Sequence, residues 1–508
     1  MRYILVLLIS VNVLFAQRTV GLISSDPSAS FDGYTLFAPI SPNSNTYLID
    51  NDGQVVNFWK NTMAPGQAVM LLEDGSLLRT GSPAVQAMGG GGAGGIIEKV
   101  AWNGTVAWKY DHYGATYRSH HDVEILPNGN ILLLVWESHT VAEALAAGRL
   151  QSRLVENALW SERVIEVKPT GPTSGTVVWS WNSWDNLIQD VDPNKPNYGV
   201  VNENPDRIDI NAGGNRSDWL HANSVRYNPE RDEVMISIHN LHEVWIISRK
   251  SGKMVYRWGN PQNYKSGAVA QQRLWGQHDA RWVPGNWNSV MIFNNGNGRP
   301  GGNASSVDVI ELPVNTDGKY RRAGTAPYEP AQSSMLCPDA LSSKYYGQNI
   351  SGATMLPNGN TLTCLGPSGT FVEFTSDKRE VWRYVNPVGQ NNMIIQQGTV
   401  PRNNMVFKIY RYPKDYPAFA GKKLTPRGRI EDGPLHVRED ASNSAYRASI
   451  DIAKSLLTIT IEQAGQYNFV AYDLLGRDLG YVNMGECSAG TYVRDIPMGT
   501  FFLVRQER

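Results

Sequence analysis

Residues 119–137 read SHHDVEILPNGNILLLVWE. A strand-like run leads into Pro127-Asn128-Gly129, and a longer apolar run follows. Pro, Asn and Gly supply the turn, and the branched and aromatic residues beside it suit a pleated surface, so the stretch predicts a β-hairpin. Relatives of it recur: VMLLEDGSLLRTG (69–81), VRYNPERDEVMISIH (225–239), ARWVPGNWNSVMIFNNG (280–296) and ATMLPNGNTLTCLG (353–366), with TVPRNNMVFKIYRY (399–412) a weaker sixth. A second hairpin form, a polar turn followed by V-V-x-W, alternates with the first. Its copies are NDGQVVNFW (51–59), WNGTVAW (102–108), SGTVVWSW (174–181), SGKMVYRW (251–258) and SDKREVWRY (376–384). About six units of three to four strands, none able to cover both its own faces, predict an all-β protein built as a six-bladed β-propeller. A large sandwich or a β-helix fits less well, because the unit couples two hairpins through long, uneven connections.

Length and composition agree. The 508 residues suffice for one large architecture and a small extra module, and 48 Gly, 28 Pro, 23 Tyr and 15 Trp suit short strands cut by turns. A net charge of −1 leaves no bulk field for nucleic acid or an acidic membrane. Residues 1–16, MRYILVLLISVNVLFA, read as a secretory signal: Arg2, a short apolar core, then Ala16 before Gln17. The expected domains are this signal, a propeller over 17–435, and a small C-terminal β-sandwich over 440–508, where six or seven short strands alternate with turns. The product is expected to be secreted or on the cell surface. Three cysteines are too few for a disulfide framework; a Cys337–Cys364 bridge is compatible with an oxidising compartment. Residues 139–160 predict a helical insertion, and residues 182–218 a loop-rich one, both suited to building a site on a rigid scaffold.

Aligning the first hairpin form on its turn places His121 five residues before Leu126-Pro127 and His278 five before Val283-Pro284. His221 falls at the same point to within about a residue, while two other copies carry Gln67 and Ser351 there. Equivalent positions in a propeller are related by rotation about its channel. His121, His221 and His278 are therefore expected to converge. Strand alternation would turn His120 to the opposite face, as a structural or supporting residue. Asp122 and Asp279, each following a histidine, either cap strands and form salt bridges or orient an imidazole. His242 is expected on the surface; His112, His139 and His436 have no supporting context. Three histidines allow a metal-dependent hydrolase or lyase, histidine-based nucleophilic catalysis, or a non-catalytic ligand-binding propeller. No HExxH or paired-cysteine spacing argues for metal.

Several stretches, taken in order, resemble bacterial aryl-sulfate sulfotransferases: GYTLFAPISPNSNTYLIDNDGQVVNFW, HHDVEILPNGNILLLVWE, DWLHANSV, RWGNPQNY, GQHDARWVP, IFNNGNGRPGG and SGATMLPNGNTL, over about residues 33–425. The resemblance implies a six-bladed propeller with its site in the central channel. It further implies ping-pong transfer of a sulfuryl group from a phenolic sulfate ester to a phenol, without a nucleotide donor, cofactor or metal. By the same resemblance His278 in QHDA is the nucleophile, with His221 and His121 supporting it. Where the family carries an arginine this chain has His239, which lacks arginine's permanent charge and two-pronged grip; Arg299 could compensate as a second substrate-binding residue. The tail, with YDLLGRDLG and GTYVRDIPMGTFFLVR, resembles a type IX secretion sorting domain, implying that machinery as a partner. A homodimer is also allowed.

Overall fold

The computed structural model describes residues 18–84, 88–336 and 343–433, together with strand backbone between 446 and 505. Residues 1–16, Cys337 and His436 lie outside the described residues. The chain divides into two compact units, Met1–Thr425 and Pro426–Arg508.

The first unit is a six-bladed β-propeller arrangement. Blade two is Ala64–Leu71, Leu77–Ser82, Ile96–Val100 and Val106–Asp111. Blade three is Tyr117–Ile125, Ile131–Thr140, Ala158–Gly171 and Ser174–Asn182, and blade four is Ala222–Asn228, Glu233–Ile238, Glu243–Ser248 and Met254–Trp258. Blade five runs His278–Val283, Asn286–Asn294, Ser306–Glu311 and Ser334–Met335; blade six runs Gly352–Met355, Thr361–Leu365, Thr370–Phe374 and Glu380–Val385. Blade one joins the two ends of the unit. Its innermost strand, Val406–Pro413, pairs antiparallel with Gly33–Pro39, which continues into Thr46–Ile49 and Val55–Trp59. The weak sixth repeat at 399–412 is therefore half a hairpin, whose other half lies at the start of the chain. Gly21–Ser25 adds a fifth strand to the outside of blade six.

Each innermost strand touches the next, from blade one round to blade six and back. Hydrophobic cores lie between blades. Leu132, Leu134, Val164 and Trp181 of blade three, for instance, meet Val225, Val234, Ile236 and Trp245 of blade four. The V-V-x-W motif has a matching purpose. Trp59, Trp108, Trp179, Trp258 and Trp382 each stand on an outer strand and donate their indole N–H to a backbone carbonyl of the following blade. The acceptors are Ala101, Ser174, Arg249, Pro330 and Asn51. An aromatic body fills the inter-blade core while its one polar atom is satisfied across the joint.

The expected helix over 139–160 is a correction. Only Val141–Ala146 is α-helical, capped by Thr140 and Glu143; Gln151–Arg153 is a single 3-10 turn, and the flanks belong to strands. Gly148 takes a left-handed conformation (φ +102°), and the buried Arg149 donates to the carbonyls of Ile210 and Gly214, pulling the chain into the neighbouring insertion. Cys364 is a buried free thiol beside the Val406 carbonyl, and its expected partner Cys337 lies outside the described residues. Among the described residues of the second unit, six strands form two antiparallel three-stranded sheets.

Replacing Trp59 by Phe trims the aromatic body and removes the indole N–H from the Ala101 carbonyl, which then keeps only the Gly104 N–H. It should cost about 1 kcal/mol, read as a lowered denaturation midpoint with unchanged slope.

Candidate active site

The innermost strands of blades two to five open with a β-bulge, where ladder register slips: between Pro65 and Val69, around His121, between Ala222 and Ser224, and between His278 and Arg281. A left-handed residue stands at or beside each: Gln67 (φ +89°), His121 (+50°), His221 (+54°) and Asp279 (+51°), with Ser351 (+83°) in blade six. Four of the aligned positions therefore share this unusual backbone. In blade five the left-handed residue comes one later, so His278 stands just before the kink rather than on it. Such conformations are costly for residues with a Cβ and persist where surrounding structure over-determines them.

The kinks gather a chain of rings. His121 and His221 lie with centroids 4.6 Å apart, His221 and His239 at 5.4 Å, and His239 and His278 at 5.2 Å, all edge to face. Blades three, four and five thus bring together the three histidines aligned in the sequence, with His239 between two of them. His239 arrives from the end of the second strand of blade four, its N–H bonded to the His221 carbonyl. His120 belongs to the cluster as well, correcting the expectation that it faces away. Because His121 is left-handed, alternation fails, and the two rings meet Nδ1 to Nδ1 at 2.9 Å. Gly92 packs directly against the His121 ring: a Cβ there would fall 2.1 Å from its Nε2.

Each ring is held by one nitrogen. His278 Nδ1 lies 2.8 Å from Asn295 Oδ1 and 3.1 Å from the Gly276 carbonyl. Asn295 spends its own N–H groups on the carbonyls of Gly347 and Ile350, which fixes its oxygen toward His278. Both neighbours of Nδ1 are acceptors, so the proton sits on Nδ1 and Nε2 carries a lone pair. The residue before it, Gln277, is tied into blade four through Ser237, Ile238 and Glu243. His221 Nδ1 meets Asp218 Oδ2 at 2.5 Å. His239 Nδ1 meets Asn240 Oδ1 at 2.7 Å, and Asn240 donates to the Asp218 carbonyl, so His239 also keeps its Nε2 lone pair free. The Nε2 atoms of His121, His221, His239 and His278 bond to no other described residue.

One ring is shifted toward its charged form. Burial pulls His221 down, but the hydrogen bond and charge of Asp218 outweigh it and raise its pKa above the ordinary imidazole value. The others are held neutral. Burial, then the His221 charge, lowers His121 well below its usual range; burial, then neighbouring His239, does the same to His278; His239 is pulled down to about 4 by burial and His221.

Below the rings, Asp122 and Asp279 belong to a buried charge lattice and do not orient imidazoles. Arg226 of blade four donates to Asp122 (2.7 Å) and Asp279 (2.9 Å), Lys408 of blade one reaches Asp122 at 2.5 Å, and Arg281 reaches Asp279 at 2.5 Å. Arg299 is engaged elsewhere. It donates to Ser306, lies over Trp275, and has no contact with the imidazoles among the described residues. His242 is half-buried rather than on the surface, its Nδ1 accepting the Gly276 N–H at 3.0 Å and so bracing the loop that holds His278. His112 and His139 pack elsewhere, against Tyr110 and Trp184. Among the described residues no group of His, Cys, Asp and Glu is placed to hold a metal ion.

The family model for arylsulfotransferases (ASST) matches residues 21–320, a span that contains every ring of the cluster. The chain belongs to the arylsulfotransferase family. This membership supports a sulfotransferase-type function. No curated protein matches the chain. Among solved structures, a protein of unknown function from Bacteroides caccae is 12% identical over 75% of this chain and 98% of its own, with a TM-score of 0.38. The periplasmic gluconolactonase of Pseudomonas aeruginosa is 10% identical over 92% and 99% (TM-score 0.36), and a virginiamycin B lyase from Staphylococcus aureus 9% over 68% and 83% (TM-score 0.33). At TM-scores this low they establish neither activity nor fold for this arylsulfotransferase family member.

Asp218→Asn removes the negative partner that raises His221. The His221 pKa should fall, so its charged form should be lost at a lower pH than in the wild type, as an NMR titration of the imidazole would show.

Proposed function

We propose that the protein transfers a sulfuryl group from a phenolic sulfate ester to a phenolic acceptor, through a sulfohistidine on His278 and without a nucleotide donor. The observation that carries this is the pairing of partners in one ring chain: His278 with Nδ1 facing two acceptors and Nε2 free, and, two rings away, His221 with Nδ1 on the Asp218 carboxylate that shifts it toward its charged form. Neutral imidazole with a free Nε2 is a nucleophile; imidazolium with a free Nε2–H is an acid.

The steps balance. Nε2 of His278 attacks sulfur, an N–S bond forms, and the S–O bond to the phenol breaks with its electron pair leaving on oxygen. His221 gives its Nε2 proton to that oxygen. The His278 ring turns positive as it bonds sulfur, and the oxygens of Asn295 and Gly276 already face its Nδ1–H, a charge-matched arrangement set before reaction. In the return half, neutral His221 takes the proton of an acceptor phenol, whose oxygen attacks sulfur as the N–S bond breaks. Burial of His121 and His278 limits the water that can compete at the nucleophile. His239 offers a lone pair where an arginine would offer donors, so in its neutral form it gives the sulfuryl oxygens no hydrogen bond. We also propose export, carried by the signal-like residues 1–16 and a tail that resembles a type IX sorting domain.

Brief exposure to a chromogenic aryl sulfate should raise the intact mass by one sulfuryl group, mapped to His278, and His278→Ala should abolish both the adduct and transfer to phenol. Folded wild-type protein giving neither adduct nor transfer with several aryl sulfates would refute the reading. His239→Arg should lower the KM for the donor by about tenfold in steady-state assays, since a charged donor replaces a lone pair.

A further inference from the structure

Glu162, on the third strand of blade three, is buried and touches the cluster from behind. Its Oε2 lies 2.9 Å from His120 Nε2, and its Oε1 accepts the N–H of Ala222, next to His221. His120 stacks flat on Trp136 (centroids 4.1 Å, planes within 7°), which fixes the plane in which both its nitrogens point. Its Nδ1 then meets His121 Nδ1 at 2.9 Å. Three buried groups thus form one line, Glu162 to His120 to His121, ending at the His121 Nε2. In such a line every proton position depends on the others.

We propose that Glu162 and His120 are positioning residues for the transfer reaction: through a one-way hydrogen-bond chain they fix the His121 proton on Nε2, making His121 a neutral donor to a sulfuryl oxygen. This rests on the sulfotransferase reading above. With Glu162 protonated, its Oε2–H donates to His120 Nε2, His120 Nδ1–H donates to His121 Nδ1, and His121 presents Nε2–H. No net charge is buried along the way. Removing one proton reverses the line: Glu162's proton moves to His120 Nε2, the His120 proton moves to His121 Nδ1, and the one released to solvent comes from His121 Nε2. His121 then turns a lone pair toward the sulfuryl group.

Burial raises the Glu162 pKa well above the ordinary carboxylate range and lowers His120 well below the imidazole range, so the proton is favoured on the carboxyl over a buried ion pair. The groups facing Glu162 are His120 from its own blade and Asp218 and His221 from the approach to blade four. Asp218 raises it, and the backbone N–H of Ala222 and the His221 charge lower it. His239 and His278 face His121 from the far side. As pH rises through the Glu162 pKa the donor is lost, so the KM for an aryl sulfate should climb by about tenfold. In Glu162→Gln the amide N–H donates to His120 at every pH, and this climb should vanish.

The test uses the full chain with 15N-labelled histidine. His121 should be protonated on Nε2 at neutral pH and should switch to Nδ1 in alkaline solution in the wild type but not in Glu162→Gln. His121 protonated on Nδ1 at neutral pH would overturn the proposal, as would superimposable KM profiles for the two proteins. The NMR readout needs no turnover. Absence of all transfer with the Nε2 tautomer present would therefore count against the sulfotransferase reading and leave the relay standing.

Discussion

Strand 406–413 hydrogen-bonds to strand 33–39, and that pairing closes the ring of six sheets. Closure does more than join the ends. It delivers Lys408 to Asp122, the residue directly after His121, and sets it 3.9 Å from Asp279, the residue directly after His278. Arg226 bridges the same two carboxylates from blade four. The last strand thus adds a cation to two buried acids that Arg226 and, for Asp279, Arg281 already contact. Stripping one partner from a buried ion pair typically costs about 3–5 kcal/mol, so an open ring would leave Asp122 short of one of its two cations. Ring closure and the charge lattice under the site are coupled.

The same economy of charge governs the rings. Burial favours the neutral form of His120, His121, His239 and His278, and a single carboxylate, Asp218, shifts His221 the other way. In the proposed reaction, acid and nucleophile are the same residue type separated by environment: Asp218 on one, Asn295 and a carbonyl on the other.

Much of this was legible in the chain. Six repeats predicted six blades, and turn alignment singled out His121, His221 and His278. The recurrent tryptophans marked the blade joints, although their bonding to the next blade needed coordinates. What alignment missed followed from backbone conformation. His120 was turned the wrong way because a left-handed His121 breaks strand alternation. His278 was aligned one place off the kink for a similar reason. Asp218 stood three residues before His221 and could have been noticed as an imidazole partner. Glu162, Asn295 and Gly92 carried no local signal, since they reach the rings from a third strand, a strand end and a loop. Arg299 was a reasonable loop cation, but Trp275 and Ser306 claim it.

The sequence by itself determined the repeat, the blade number and the residue types available for chemistry, because strand period, turn residues and inter-blade aromatics are local properties. Only the tertiary structure decided which nitrogen of each imidazole is free and which ring bears charge. Those depend on hydrogen bonds and burial supplied by residues dozens of positions away, and on a ring that exists only when its two ends meet.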